Sequence, residues 1–365
     1  MSNLLKLVIG CIVLFLLPVN IFSISKSEKL NQESNRKKSV SVFPILMYDS
    51  DIGFGFGGKG VVKNLYQKNE SFDLILFAST KGEQWYVFSF SIPDFEIRQG
   101  TRFPLAGDFK IEYDKFLKSN FFGFGNNSKD NDWQFPKEFS KLKMTFVRAF
   151  TERIIGEVGL FYIHTSVYNY QSNPAMSTEI TGAAENLTSY FTTRWRWDTR
   201  NSQIHPQEGW KLALNVDFVS RLFGGDYDFN RYRLELSKYQ KLFSAAHILA
   251  LRFWSQHIDG TAPYYEQSII GGSWTGRGFK ADRFIDNAFL LLSAEYRFMI
   301  CQKLGGILLV DSGRVFNSIK KANFQDWRNN WGWGLRYYTA SFVARFDVGI
   351  SKEGTRVFFN FGHVF

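Results

Sequence analysis

GWKLALNVDF, residues 209–218, alternates without a break. Trp210, Leu212, Leu214, Val216 and Phe218 fall on one side, while Lys211, Ala213, Asn215 and Asp217 fall on the other. Side chains of a strand point alternately to its two faces, so this stretch is a strand with one apolar and one polar face. The rhythm returns in YFTTRWRWDTR (190–200), where Phe191, Thr193, Trp195 and Trp197 oppose Tyr190, Thr192, Arg194, Arg196 and Asp198. In FLLLSAEYRF (289–298), Leu290, Leu292, Ala294, Tyr296 and Phe298 oppose Ser293, Glu295 and Arg297. In FVARFDVGI (342–350), Phe342, Ala344, Phe346, Val348 and Ile350 oppose Val343, Arg345 and Asp347. Runs of about ten residues with one apolar and one often charged face, separated by turns, are the pattern of an antiparallel transmembrane β-barrel. A soluble sandwich alternates too, but its polar face meets bulk water and it has less use for aromatics. This chain has 39 Phe, 16 Tyr and 10 Trp against only 8 Pro, a strand-rich composition. The expected fold class is all-β.

The first residues differ in kind. Lys6 precedes the apolar run LVIGCIVLFLLP (7–18), and small residues, Ser23 and Ser25, follow. Residues 1–25 therefore read as a secretory signal peptide. The rival, a retained anchor, wants about 18 unbroken apolar residues, more than this run supplies. Residues 26–40 read as a polar periplasmic segment, mixed in charge and solvated. Residues 41–365 read as one barrel domain. No later stretch resembles a spanning helix, and only helices and closed barrels satisfy every backbone group in lipid.

The net charge of +10 on an exported chain reads as contact with anionic lipid or lipopolysaccharide, or as nothing specific, and not as nucleic-acid binding. Of the two cysteines, Cys11 leaves with the signal and Cys301 stays alone, so no disulfide and no cysteine-based metal site is expected. The five histidines have no metal-binding spacing, and neither metal nor cofactor is expected.

GFGFGGKG (53–60) carries the skeleton of a phosphate-binding loop, but Gly60 stands where such a loop needs Ser or Thr. Ile52, Phe54 and Phe56 alternate with Gly53, Gly55 and Gly57, which reads as a strand with aromatics on one face and bare backbone on the other. FFGFGN (121–126) reads as the same device, a strand that bends or that receives a close neighbour. The closest approach to a nucleophile elbow, GGSWT, has Thr275 in place of the last glycine. Asp198 and Asp347 lie beside arginines, as structural ion pairs do. No enzyme is expected.

Six stretches, in order, resemble the outer-membrane barrel of the Omp85 superfamily, which includes the BamA/TamA and surface antigen D15 proteins. They are FPILMYDSDIGFGFGG, FFGFGNN, WDTRNSQIHPQEGW, GGSWTGRGF, LLLSAEYRF with LLVDSGRVF, and the terminal RVFFNFGHVF. The resemblance covers about residues 41–365. It implies 16 strands, a weak seam between the first and last, and one long loop folded into the lumen. It also implies that the loop motif Gly276, Arg277, Gly278 and Phe279 sends its arginine to an acidic wall residue, matched by Asp311, with Glu295 as a second acceptor. Gly276 departs from the family's usual Val. Asp311 shares its parity with Ile307 and Leu309, so parity alone leaves its face open, but a mid-strand carboxylate does not face lipid. Val357, Phe359, Phe361, His363 and Phe365 share a face of the last strand, which resembles the C-terminal signal that insertion machinery reads.

The segment before residue 41 is too short for the periplasmic POTRA domains of assembly members, so a bare barrel is expected. The implied partners are outer-membrane lipids and lipopolysaccharide, the barrel-assembly machinery for its own insertion, and either separate periplasmic proteins or a second copy in a homodimer. The implied function is protein or lipid transport, insertion or outer-membrane biogenesis. The alternatives are a passive diffusion channel, favoured by charged inner faces, and a structural surface protein using loops such as Gln171–Asn186.

Overall fold

The computed structural model describes residues 37–365 apart from 51–52, 99–102, 131–132, 170–172, 174, 177–178, 245 and 340–341. The expected signal peptide and most of the polar segment lie outside the described residues. The chain runs through β1 (Ser39–Asp49), β2 (Gly53–Lys63), β3 (Ser71–Ser79), β4 (Gln84–Ile92), β5 (Ala106–Asn120), β6 (Gln134–Ala149), β7 (Ile154–Val167), β8 (Asn186–Asp198) and β9 (Gly209–Val219). It continues through β10 (Phe229–Lys241), β11 (His247–Gly260), the short β12 (Ser268–Ile270) and β13 (Phe284–Asp286), then β14 (Ala288–Met299), β15 (Leu304–Phe316), β16 (Arg328–Tyr338), β17 (Val343–Ser351) and β18 (Gly354–Phe361). All but β12 and β13 form one closed antiparallel barrel of 16 strands. β12 and β13 pair with each other inside the long connection from β11 to β14. Among the described residues no helix is long and apolar enough to cross a membrane.

The sequence alternation sets the two faces of the wall. Leu214 and Leu292 are 46% and 45% exposed, while Asp217 and Glu295, on the opposite parity, are fully buried. Apolar side chains thus cover the exterior and charged ones pair in the lumen, as a lipid-facing barrel requires. Along β15 the rule bends. Leu308 and Val310 are exposed, yet Ile307 and Leu309 are buried with Asp311 on the inner side. Close by, Val315, also on that side, packs with Leu291 against the loop residues Ile270, Phe279 and Phe284.

The glycine-rich stretches resolve differently. Gly53–Gly60 is part of β2, with Phe54 and Phe56 exposed outside. A Cβ on Gly55 would come within 2.1 Å of the Phe77 ring, so the bare face receives an aromatic from β3. Phe121–Asn126, in contrast, is no regular strand. Pairing of β5 with β6 ends at Asn120, and Gly123 and Gly125 adopt φ of +91° and +87°, which turns the chain. Phe121 instead packs edge-on against Tyr264 of the long connection, and Phe124 makes a single parallel bridge to Ile285.

Candidate functional site

The connection between β11 and β14 carries the predicted motif. Thr275 Oγ1 donates to the Gly271 carbonyl at 2.9 Å and accepts from the Gly271 N–H at 3.1 Å. The Phe279 N–H donates to the Gly276 carbonyl at 3.0 Å, which closes a tight turn around Arg277. Gly276 has φ of +151°, a conformation that strains any L side chain, so the departure from Val matches the backbone found here.

Arg277 is fully buried. Its Nε and Nη2 donate to the two oxygens of Asp311 on β15 at 3.0 and 2.9 Å. Its Nη1 donates to Glu295 on β14 and lies 3.7 Å from Asp347 on β17. Asn330 of β16 donates to Asp311 at 3.1 Å. The guanidinium therefore meets carboxylates from three wall strands, one of them in the two-pronged geometry that planar groups favour. The carboxylates have further partners. Arg297 Nε donates to Glu295 at 2.8 Å, and Arg336 Nη1 donates to Asp347 at 2.6 Å.

Missing side chains let the loop come this close. A Cβ on Gly349 of β17 would lie 2.0 Å from the Arg277 carbonyl, and one on Gly278 would lie 2.6 Å from Asn330 Cβ. Ser351 Oγ donates to the Gly278 carbonyl at 2.6 Å. Phe279 anchors the other flank in an apolar cluster with Ile270, Phe284, Phe289, Leu291 and Val315.

The second notable place is the closure. Every residue of β1 registers with β2, but only Tyr48 and Asp49 register with β18, opposite Phe359 and Phe358. Ser50 adds bonds from its N–H and Oγ to the Val357 carbonyl, both at 3.1 Å. Past Phe361 the chain leaves the wall. Gly362 has φ of +82°, and its N–H donates to the Val343 carbonyl at 2.7 Å. Phe361 stays exposed on the outside, whereas Phe365 is buried in the lumen with Val364, Tyr239 and Ala250. The expected common face from Val357 to Phe365 is therefore broken at Gly362, where the backbone turns inward.

Residues 64–365 match the family model described as the Omp85 superfamily domain. The chain belongs to the Omp85 superfamily. Solved structures similar to this Omp85 chain include BamA from Haemophilus ducreyi lacking POTRA domains 1–3. That likeness has a TM-score of 0.67 at 15% identity, over 89% of this chain and 70% of the other. They also include CdiB from Escherichia coli, with a TM-score of 0.62 at 12% identity over 96% and 73% of the chains. CdiB from Acinetobacter baumannii gives 0.58 at 12% identity over 94% and 69%. At such identities the likeness speaks for the fold. No curated protein matches the chain. Family and 16-stranded barrel together point to a bacterial outer membrane.

Sequence reasoning about this Omp85 barrel named Arg277, Asp311 and Glu295, and the fold brings the three together. It read Asp347 only as a partner of a neighbouring arginine, and it missed Asn330. Alternation places Asp347 on the polar face, but nothing local says that β17 stands beside the loop tip.

Proposed function

We propose that this Omp85 barrel takes part in protein or lipid transport, insertion or outer-membrane biogenesis. Its seam is the working opening, and the Arg277 loop is the brace that holds the wall beside it. The observation that carries this reading is the mismatch along β1, which is fully paired on one side and paired only at Tyr48 and Asp49 on the other. Unpaired backbone groups in lipid cost several kcal/mol each, so an open edge at membrane depth is an unstable arrangement that another strand or lipid headgroups would relieve. Strand addition to such an edge supplies main-chain hydrogen bonds without needing a particular side-chain sequence. Val40, Val42, Phe43 and Leu46 of that edge strand are exposed. Separate periplasmic proteins would deliver the cargo, and no covalent chemistry is required of the barrel.

The test is a seam that opens and closes on demand. A Tyr48→Cys/Phe359→Cys pair in a Cys301→Ser background joins the two strands under oxidation. Purified protein in lipid vesicles is then assayed for assisted folding of an unfolded outer-membrane barrel and for lipid transfer between leaflets. Activity that disappears on oxidation and returns on reduction is the expected outcome. Equal activity in both redox states would remove the seam from the mechanism.

A further inference from the structure

The stretch WDTRNSQIHPQEGW plays no part in the Arg277 anchor, yet it is built with care. It forms the connection between β8 and β9. Arg200 Nε and Nη2 grip both oxygens of Asp198 at 2.9 and 2.8 Å. The Thr199 N–H donates to the Trp210 carbonyl at 2.9 Å, and the Trp210 N–H donates to Thr199 Oγ1 at 3.0 Å. Asn201 Oδ1 accepts from the N–H groups of Gln207 and Glu208 at 3.0 and 3.3 Å. Gly209 has φ of +107°, and a Cβ there would strike the Thr199 carbonyl at 2.4 Å. A connection fixed this firmly delivers its tip to a defined place.

That place lies across the barrel. The strand order puts the β8–β9 junction halfway round the closed sheet from the β1–β18 seam. Even so, the His205 ring stacks on Tyr338 of β16 with centroids 4.1 Å apart, and it lies 6.0 Å from the ring of His363. Tyr338 and His363 are themselves 5.9 Å apart. A second route leaves the same connection. The Arg200 guanidinium lies over the Tyr239 ring at 5.9 Å, and Tyr239 packs on Phe365 at 6.5 Å. Two wall arginines finish the grip on Phe365. Arg252 and Arg297 cover its ring at 4.9 and 5.4 Å, and Arg297 Nη2 donates to the Phe365 main-chain oxygen at 3.1 Å.

We infer that the connection Thr199–Glu208 is a strut across the lumen that holds residues Gly362–Phe365 away from β1 and thereby sets how far the seam closes. The physical ground is competition for one segment of chain. Continuing the register Tyr48–Phe359 pairs Met47 with Asn360 and Leu46 with Phe361, and each further step draws on residues that the lumen contacts now hold. A peptide segment cannot both complete the β1 ladder and stack beneath His205. The inference rests on the seam as the working opening, but its test reads strand separation and not activity.

Spin labels at Leu46→Cys and Phe361→Cys, in a Cys301→Ser background in lipid nanodiscs, report that separation. Both side chains are exposed and neither belongs to the strut. Directly paired strands bring Cβ atoms to within about 5 Å. His205→Ala should raise the population at that short separation several-fold, and Phe365→Ala should do the same by freeing the other route. His205→Phe keeps a stacking ring and should behave as the native protein does. His257→Ala, a change next to Tyr232 on the outer face, should leave the distances alone. Unchanged distances in both alanine variants, with heat-modifiability showing folded barrels, would overturn the strut. So would a shift in the His205→Phe or His257→Ala protein. Loss of seam-dependent activity with these distances unaltered would leave the function standing and the strut refuted.

Discussion

Arg277 is the residue on which the loop's position turns. Its charge is fully buried, and its partners Asp311, Glu295 and Asp347 are buried with it. Removing one member of such a group strands the others, which typically costs about 3–5 kcal/mol. Arg277→Ala is expected to lower the temperature at which the folded band disappears in heat-modifiability gels. Arg277→Lys, which keeps the charge and loses the fork, should fall between the two. Native behaviour in the alanine variant would mean that the loop is held by its apolar flank alone. Glu83, in the turn between β3 and β4, supplies a pH test. Burial, with Asp114 and Asp49 nearby, pushes its carboxyl from 4.5 up to about 8. The folded barrel therefore favours the protonated form. Its contribution to stability is full below 4.5 and is lost as pH rises through about 8. The native barrel should unfold at a lower denaturant concentration at pH 9 than at pH 5, and Glu83→Gln should shrink that difference.

At the scale of elements, the β8–β9 connection meets the segment after β18 and the end of β16 through the rings of His205, His363 and Tyr338, and the two imidazoles titrate. Burial and Arg297 lower the pKa of His205. Burial, Arg297 and Arg336 lower that of His363, with Glu295 opposing and His205 adding to the repulsion. Tyr338 completes the surroundings. Both imidazoles dock in the neutral form. A base whose docked pKa is depressed gives full docking above its free value of 6.5 and loses it as pH falls below. Acidification from pH 8 to pH 5 should bring the Leu46 and Phe361 labels together, and His205→Phe should blunt that response. A native protein whose distances ignore pH would show that the imidazoles stay docked when charged. The elements also mark where local sequence signals run out. FFGFGN (121–126) and GFGFGGKG (53–60) look alike, yet only the second is strand. The difference lies in where positive φ falls, since in the second stretch only its first residue, Gly53, has it and Gly55 and Gly57 sit within the paired strand, while Gly123 and Gly125 both have it.

For the whole molecule, the question is whether the lumen conducts. The connection from β11 to β14 contributes Tyr264 and Ile285 to one buried cluster, with Ile269 packed against it, and Ile270, Phe279 and Phe284 to another. Loops from the same rim tie to it. Arg283 grips Glu353 and Ser128, and the Arg328 guanidinium lies over the Phe284 ring at 5.5 Å. A barrel filled in this way should give small, erratic currents in planar bilayers. Removing residues 262–286 should convert them to large, steady ones. Large steady currents from the intact protein would favour the diffusion channel instead.

The alternation of Trp210 to Phe218 and its repeats made two-faced strands legible, because side-chain direction in a strand follows from covalent geometry alone, while preferring a membrane barrel to a soluble sandwich also took the aromatic load and the expected export. The pairing of Arg277 with Asp311 was legible only through a family pattern, since parity left Asp311 ambiguous between two faces. The tertiary structure alone decided that Val315 packs inward against the loop residues Ile270, Phe279 and Phe284 and that Phe365 leaves the face of Phe361. It alone put His205 beside a strand on the far wall. These depend on closure of the sheet, which brings residues distant in sequence to one depth of one lumen, and no local spacing encodes which of them will meet.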